Sequence, residues 1–454
     1  MITANIKTEN RLLQFKFLVA TIIIAGGITP LVLYFLYYDW TALITPVEAK
    51  QMLRENKTNA MLVDVRSSEQ FNAAHIAGAK HWSADQIMAL RAKEQIPEEF
   101  RNKTLLMICK VGVSAGTVAK HLKGIGIENV RNVRGGMQGW LGSSDTADGG
   151  AFDKFESADG RQSLFPFHQS PLFEQLLAVV SGFGIKATYT LLSLIIAIVL
   201  WRSTSSDLAA LRWAMIFFFI GENCCAINYL VFHDQSYFFE YLHSLGMLLS
   251  FGFVTYAVFE GFDSRILILS EHGRKCAALN LCRKCVKYEN VSCGLKNTFL
   301  IIIPALIIIA AMPLCADWHN NSYNTMIVDT FYNYSHPLVY QQFEKLYCPI
   351  VAMVFLTASL VILIFKKNDP LPPDKIFFAA GSGPLGFGMF RTILDGIYNQ
   401  NMVWFNFWEE TTELRFIAGV CFVLWTFRRG LFEKAELQTV VKGNNSENRS
   451  GNIS

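Results

Sequence analysis

Apolar runs of membrane-spanning length recur along this chain, at 17–37 and then near 176–201, 208–232, 238–260, 298–315, 346–365, 376–398 and 412–427. An α-helix needs about 20 mostly apolar residues to cross roughly 30 Å of hydrocarbon, and only a helix or a closed barrel satisfies its backbone there. The pattern predicts eight transmembrane helices. Of the 454 residues, 52% are hydrophobic and 17% charged, where a soluble chain carries about 25% charged. That balance excludes a disordered chain, a coiled coil and a purely soluble enzyme. A net charge of +3 gives no reason to expect nucleic acid as a partner. The last two runs fit least well, because 376–398 holds Arg391 and Asp395 and 412–427 is short.

Lys and Arg in alternate loops set the orientation. With the N-terminus inside, the segments 1–16, 202–207, 261–297, 366–375 and 428–454 hold 19 of them, and the short opposite loops 233–237, 316–345 and 399–413 hold one. Both termini and the loop 261–297 are therefore expected in the cytoplasm, and 42–171 across the membrane, in the periplasm if this is a bacterial inner-membrane protein. The run 17–37 is preceded by Lys7, Arg11 and Lys16 and has no small-residue cleavage site, so it reads as an uncleaved anchor. The expected order is a cytoplasmic N-terminus (1–16), an anchor (17–38), a soluble domain (42–142) and a Gly/Ser/Asp-rich linker (143–171). A polytopic domain (172–430) and a polar tail (431–454) follow, with the lipid bilayer as the first partner.

The soluble segment reads as alternating strands and helices. Thr45-Pro46-Val47-Glu48 has the form of a capping box with Pro at the first helical position, and a helix to about 56 follows. Strands are expected at 61–65, 104–108 and 129–133, and helices at 83–93 and 115–123. That alternation predicts a small parallel α/β sheet covered on both faces.

Five motifs within this segment resemble the rhodanese-like family, in order and at family spacing. They are Leu62-Val63-Asp64-Val65-Arg66, Glu69-Gln70-Phe71, His75-Ile76-Ala77-Gly78-Ala79, Cys109-Lys110-Val111-Gly112 and Val133-Arg134-Gly135-Gly136-Met137-Gln138-Gly139-Trp140. The resemblance covers 42–142 and implies a sulfurtransferase fold whose cysteine carries a sulfane sulfur. The whole chain is then an α/β rhodanese-like domain, a parallel sheet flanked by helices, inserted between a first transmembrane helix and an all-α membrane domain. The membrane part resembles no named family.

The residues support the same chemistry. Cys109 ends a buried strand and faces a helix N-terminus across the loop Lys110-Val111-Gly112-Val113-Ser114. Backbone N–H groups of such a loop converge on an anion, and the helix dipole adds to them. That setting stabilises a thiolate or persulfide anion. The thiolate would take a sulfane sulfur from a small donor and pass it to a thiol acceptor, with no cofactor required. Lys110 and Ser114 stand where the family often carries Arg beside the cysteine and Arg or Thr at the loop's far end. Lys is a point charge rather than a bidentate clamp, so a persulfide is expected to serve better than thiosulfate. Degeneration of the site to a plain core cysteine is the competing reading. Asp64 and Arg66 are expected to form a structural ion pair at a strand end, with anchoring of the loop or of an anion as the alternative. His75 and Trp140 are read as packing residues.

Three further groups stand out. Cys276, Cys282, Cys285 and Cys293 form C-x5-C-x2-C-x7-C in the loop expected to be cytoplasmic, a donor set that suits Zn²⁺ or an iron–sulfur cluster; reduced cysteines in a basic loop explain it as well. Glu222, Asn223 and His243 lie inside spans, where polar groups are costly, and Arg391 and Asp395, four apart, are expected to pair. They suit a polar pocket for a small anion, a proton or a thiol relay, or plain hydrogen bonding between helices. Cys315 and Cys348 bracket an outer loop, where an oxidising compartment would close a disulfide, or each is a small apolar residue at a helix end. Glycines 381, 383, 386 and 388 around Pro384 signal close helix packing or a broken helix. Two functions remain open: a membrane-tethered sulfurtransferase or persulfide carrier acting through Cys109, and a polytopic transporter or sensor in which the soluble domain reports reactive sulfur.

Overall fold

The computed structural model describes residues 2–37, 43–55, 59–109, 112–142, 155–156, 168–169, 171–232, 236–267, 294–316, 321–327, 330–336, 343–365, 374–398, 401–428 and 431. A first long helix, α1 (Ile2–Tyr37), leads to the soluble domain. Its strands are β1 (Leu43–Ile44), β2 (Ala60–Asp64), β3 (His75–Ile76), β4 (Lys80–His81), β5 (Thr104–Ile108) and β6 (Val130–Val133). Its helices are α2 (Pro46–Glu55), α3 (Ser68–Ala73), α4 (Ala84–Met88), α5 (Glu98–Arg101), α6 (Val113–Gly124) and α7 (Gly136–Gly142). The main sheet has the order β1-β6-β5-β2-β4, and every pairing in it is parallel. β5 is the middle strand, and its run Thr-Leu-Leu-Met-Ile is apolar because a central parallel strand is covered on both faces.

Alternation along β5 divides two cores. Leu105, Met107 and Cys109 enter one core with Val63, Val65, Phe100 and the α6 residues Ala115, Val118, Ala119 and Leu122. Leu106 and Ile108 enter the other with Ile44, Ala49, Leu62, Val133, Met137 and Trp140. Successive strand residues point to opposite faces, and the α6 residues recur at helical spacing on one side. Both cores draw only on residues of this domain, the condition for folding alone.

The capping box forms as the sequence predicts. Thr45 N–H and Oγ1 lie 3.0 and 2.9 Å from Glu48 Oε2, and Glu48 N–H donates to Thr45 Oγ1 at 3.2 Å. The helix expected at 83–93 is shorter, ending at Met88, and a 3₁₀ turn follows at Lys93–Gln95. There the Gln95 side chain accepts from the backbone N–H groups of Arg91 and Ala92, at 2.7 and 3.3 Å, in place of helical bonding. Asp64 and Arg66 pair with each other. Arg66 Nη2 donates to Asp64 Oδ2 at 2.7 Å and to the Ala74 carbonyl at 2.6 Å, tying the end of β2 to the start of β3.

Within the stretch expected to be linker, β7 (Phe155–Glu156) pairs antiparallel with β3, and β8 (His168–Gln169) runs parallel to β9 (Asn321–Ile327). β9 forms a hairpin with β10 (Thr330–His336). Residues 168–169, ahead of the bundle, therefore lie beside 325–326 of β9.

The remaining helices are α8 (Leu172–Val179), joined by a π-helical turn to α9 (Lys186–Val199), then α10 (Ser206–Phe232) and α11 (Tyr237–Gly261). α12 (Gly294–Cys315), α13 (Cys348–Phe365), α14 (Asp374–Tyr398) and α15 (Met402–Thr426) complete the bundle. Among the described residues, six stretches, against the eight expected, are long and apolar enough to cross a membrane: Gln14–Leu36, Leu172–Val199, Ser206–Phe232, Phe238–Arg265, Asn297–Cys315 and Phe343–Phe365. α14 and α15 are equally long helices but more charged. α15 begins ten residues before the last apolar run, so Glu409, Glu410 and Glu413, assigned from sequence to an outer loop or its edge, are helical. α10 and α11 meet at glycines: a Cβ on Gly246 would come within 2.7 Å of the Gly221 Cα, a small-residue contact that lets backbones touch. α14 runs unbroken through Pro384, so its glycines serve packing; a Cβ on Gly381 would stand 3.2 Å from the Leu356 nitrogen.

Candidate active site

Cys109 follows the last residue of β5 and is 3% exposed. The chain turns at Gly112, which has φ 91°, a conformation that costs a side-chain-bearing residue energy, and α6 starts at the next residue. A Cβ here would also meet the Val133 carbonyl and the Gly135 nitrogen at 3.3 Å each. The turn aims two backbone donors at the sulfur: Gly112 N–H at 3.0 Å and Ala115 N–H at 3.4 Å from Cys109 Sγ. Gly112 caps α6 and Ala115 lies in its first turn, where N–H groups lack helical partners and the dipole is positive.

The loop is held from behind. Asn132 Nδ2, on β6, donates to the Gly112 carbonyl at 2.9 Å. Met137 N–H donates to the Cys109 carbonyl at 2.9 Å, which locks the Gly-Gly turn of 135–136 against the cysteine. Sequence reasoning overlooked Asn132, which carries no motif; it is a buried amide on β6, between the exposed Arg131 and the buried Val133. Ser114 is half-buried in the first turn of α6. Lys110 and Val111 lie outside the described residues, and Val113 is described in its backbone alone. Asp64 and Arg66 are occupied with one another and with Ala74. His75 stacks on Phe71 at 3.8 Å, and Trp140, 1% exposed, packs in the core with Lys50 Nζ donating to its carbonyl at 3.1 Å.

In the bundle, Glu222 and His243 come together, with Oε1 and Nδ1 3.5 Å apart. Asn223 turns back to its own helix, donating to the Phe219 carbonyl at 2.7 Å. The expected pairing of Arg391 with Asp395 lies outside the described residues, because the Asp395 side chain is not among them. Arg391 Nε donates to Glu344 Oε2 at 2.6 Å, and its Nη2 lies 4.0 Å from Glu409 Oε1. A carboxylate from the turn before α13 reaches the guanidinium across the bundle. Cys315 and Cys348 are free thiols, one exposed and one buried, so the expected disulfide is not made. Cys348 faces inward onto α14, its Cβ 3.6 Å from where a Cβ on Gly388 would stand. Cys276, Cys282, Cys285 and Cys293 lie outside the described residues.

Comparison with known proteins places this site in context. A family model described as a rhodanese-like domain matches residues 45–143. The thiosulfate sulfurtransferase GlpE of Tolumonas auensis is 36% identical over 80 residues, which are 17% of this chain and 70% of that one. GlpE of Pseudomonas savastanoi pv. phaseolicola is 35% identical over 95 residues, 21% of this chain and 83% of its own. Among solved structures, a rhodanese-like domain from Anabaena aligns with 29% of this chain and 91% of its own, at 17% identity and a TM-score of 0.22.

Proposed function

Because the chain belongs to the rhodanese-like family through residues 45–143, we propose that it is a membrane-tethered sulfurtransferase that carries sulfane sulfur on Cys109. The observation that carries this reading is the pair of backbone N–H groups, Gly112 and Ala115, directed at Cys109 Sγ. Donors fixed before the reaction stabilise the sulfur anion without reorganisation.

In the first step the Cys109 thiolate attacks the outer sulfur of a donor R–S–S⁻ or of thiosulfate. The sulfur–sulfur bond of the donor breaks, RS⁻ or sulfite leaves with the electron pair, and Cys109–S–S⁻ remains. In the second step an acceptor thiolate, or cyanide, attacks the terminal sulfur and releases the Cys109 thiolate. The two half-reactions share one anion site. Gly112 N–H and Ala115 N–H hold the resting thiolate, and the persulfide extends past them toward Ser114 at the start of α6. Ser114 supplies a hydroxyl and no charge there, which favours a singly charged persulfide over the thiosulfate dianion.

The test is turnover of the full-length protein in detergent, with thiosulfate or glutathione persulfide as donor and cyanide as acceptor. Cys109→Ser should reduce thiocyanate formation to the uncatalysed rate with either donor. Unchanged turnover in Cys109→Ser would sink the proposal.

A further inference from the structure

The bundle holds a second cluster that sulfur transfer does not use. Lys186 Nζ on α9 donates to Glu222 Oε2 on α10 at 2.7 Å, and to Glu410 Oε1 and Oε2 on α15 at 3.1 and 3.4 Å. The Tyr189 hydroxyl stands 2.8 Å from Glu222 Oε2 and 2.5 Å from Glu410 Oε2. Glu413, one turn along α15, completes the group. Glu222 is 0%, Glu413 6% and Glu410 9% exposed.

Two oxygens here have no hydrogen-bond donor, Glu222 Oε1 and Glu413 Oε2. His243 Nδ1 is 3.5 Å from Glu222 Oε1 but is engaged with the Gly221 carbonyl at 3.1 Å. One carboxylate oxygen from each of Glu222, Glu410 and Glu413 lies within 4.8 Å of the others. Oxygens bound to a single hard cation at about 2.0–2.6 Å stand no more than about 5 Å apart. Three carboxylates against one ammonium leave two negative charges in an apolar bundle, where bare charge is expensive. One divalent cation closes that balance.

We propose that Glu222, Glu410 and Glu413 form a binding site for one divalent, oxygen-preferring metal cation inside the helical bundle, with Lys186 and Tyr189 holding the carboxylates in place. An all-carboxylate donor set selects the hard class, of which Mn²⁺ is a member with a direct spectroscopic readout, and disfavours thiophilic ions. At 1.5 Å rise per residue, Glu410 lies about 12 Å along α15 from Met402, within the bundle and not at its rim.

The experiment titrates Mn²⁺ into the full-length protein in detergent and follows the loss of the free-ion paramagnetic resonance signal. One Mn²⁺ per chain is expected, with affinity at least tenfold weaker in Glu413→Gln and in Glu222→Gln. Binding should be unchanged in Glu260→Gln, a carboxylate paired elsewhere with Lys375, and in the Cys282→Ser, Cys285→Ser double variant. Monodisperse elution and an unchanged helical circular dichroism melt report folding of the bundle. If Glu413→Gln fails to fold, Glu413→Asp, which keeps the charge and shortens its reach, provides the same comparison. No Mn²⁺ bound to the wild type, as when protons alone neutralise the cluster, overturns the proposal. So does binding that none of the carboxylate variants weakens.

Discussion

Cys109 extends the alternation of β5 by one residue, onto the face covered by α6, and that places its sulfur beneath the first turn of the helix. Gly112 makes the turn possible. Gly112→Ala adds a Cβ at φ 91° against the backbone of 133–135, and strain of this kind costs about 1–3 kcal/mol. The expected result is a lower urea midpoint for the soluble domain together with slower sulfur transfer, since the donor at 112 shifts; a variant equal to wild type in both would show that the turn is not constrained. Ser114 sets donor preference. Ser114→Arg introduces a guanidinium at the start of α6, and steady-state kinetics with the two donors should show thiosulfate use rising more than persulfide use. An equal change with both would mean that anion clamping does not limit the reaction. The motif residues around Cys109 were legible in the sequence because a strand-to-helix junction is local. Asn132 was not, because its hydrogen bond to the Gly112 carbonyl joins positions far apart in the chain.

Elements with a strong local signal form where the sequence places them: the capping box at Thr45, the apolar run of β5 and the helical spacing of α6. Two-residue strands such as β3, β4 and β7 were not legible, since alternation needs about four residues to register. α15 was misread at its start. Its acidic residues 409, 410 and 413 lower the apolar signal over the very turn that carries the buried cluster, and the partners of two of them come from other helices, Lys186 and Tyr189 for Glu410 and Arg391 for Glu409. Capping makes a prediction of its own. The backbone N–H and the hydroxyl of Thr45 hold the Glu48 carboxyl below the usual carboxylate range. A carboxyl lowered by folding contributes stability above its unfolded value, and that contribution disappears as pH falls through the lowered folded value. Thr45→Ala should cost about 1 kcal/mol at neutral pH. Denaturant melts should show the difference from wild type shrinking in acid; a difference that grows there would contradict the assignment.

The soluble domain owns both of its cores, so residues 42–145 expressed alone should transfer sulfur at a rate comparable with the full chain. Loss of transfer on excision would tie the chemistry to the bundle. The helical part was legible as long apolar helices, while its internal charges were not, because their partners lie on other elements: Arg391 finds Glu344 and Lys186 finds Glu222 and Glu410. Pairing of β8 with β9 puts residues 168–169 beside 325–326, in the strand that follows Cys315. Cys315 is free and exposed, so a membrane-impermeant maleimide should label it in intact cells without prior reduction, while the cysteines of 276–293 stay unlabelled. Labelling of that cluster instead would reverse the orientation drawn from Lys and Arg. Sulfur carriage by Cys109 is tested most directly by mass spectrometry of the intact full-length protein after exposure to glutathione persulfide and removal of excess donor. The expected result is a gain of one sulfur, mapped to Cys109 by peptide analysis, absent from Cys109→Ser and discharged by cyanide. A wild-type protein that gains no sulfur from any donor, or gains it equally in Cys109→Ser, would contradict it.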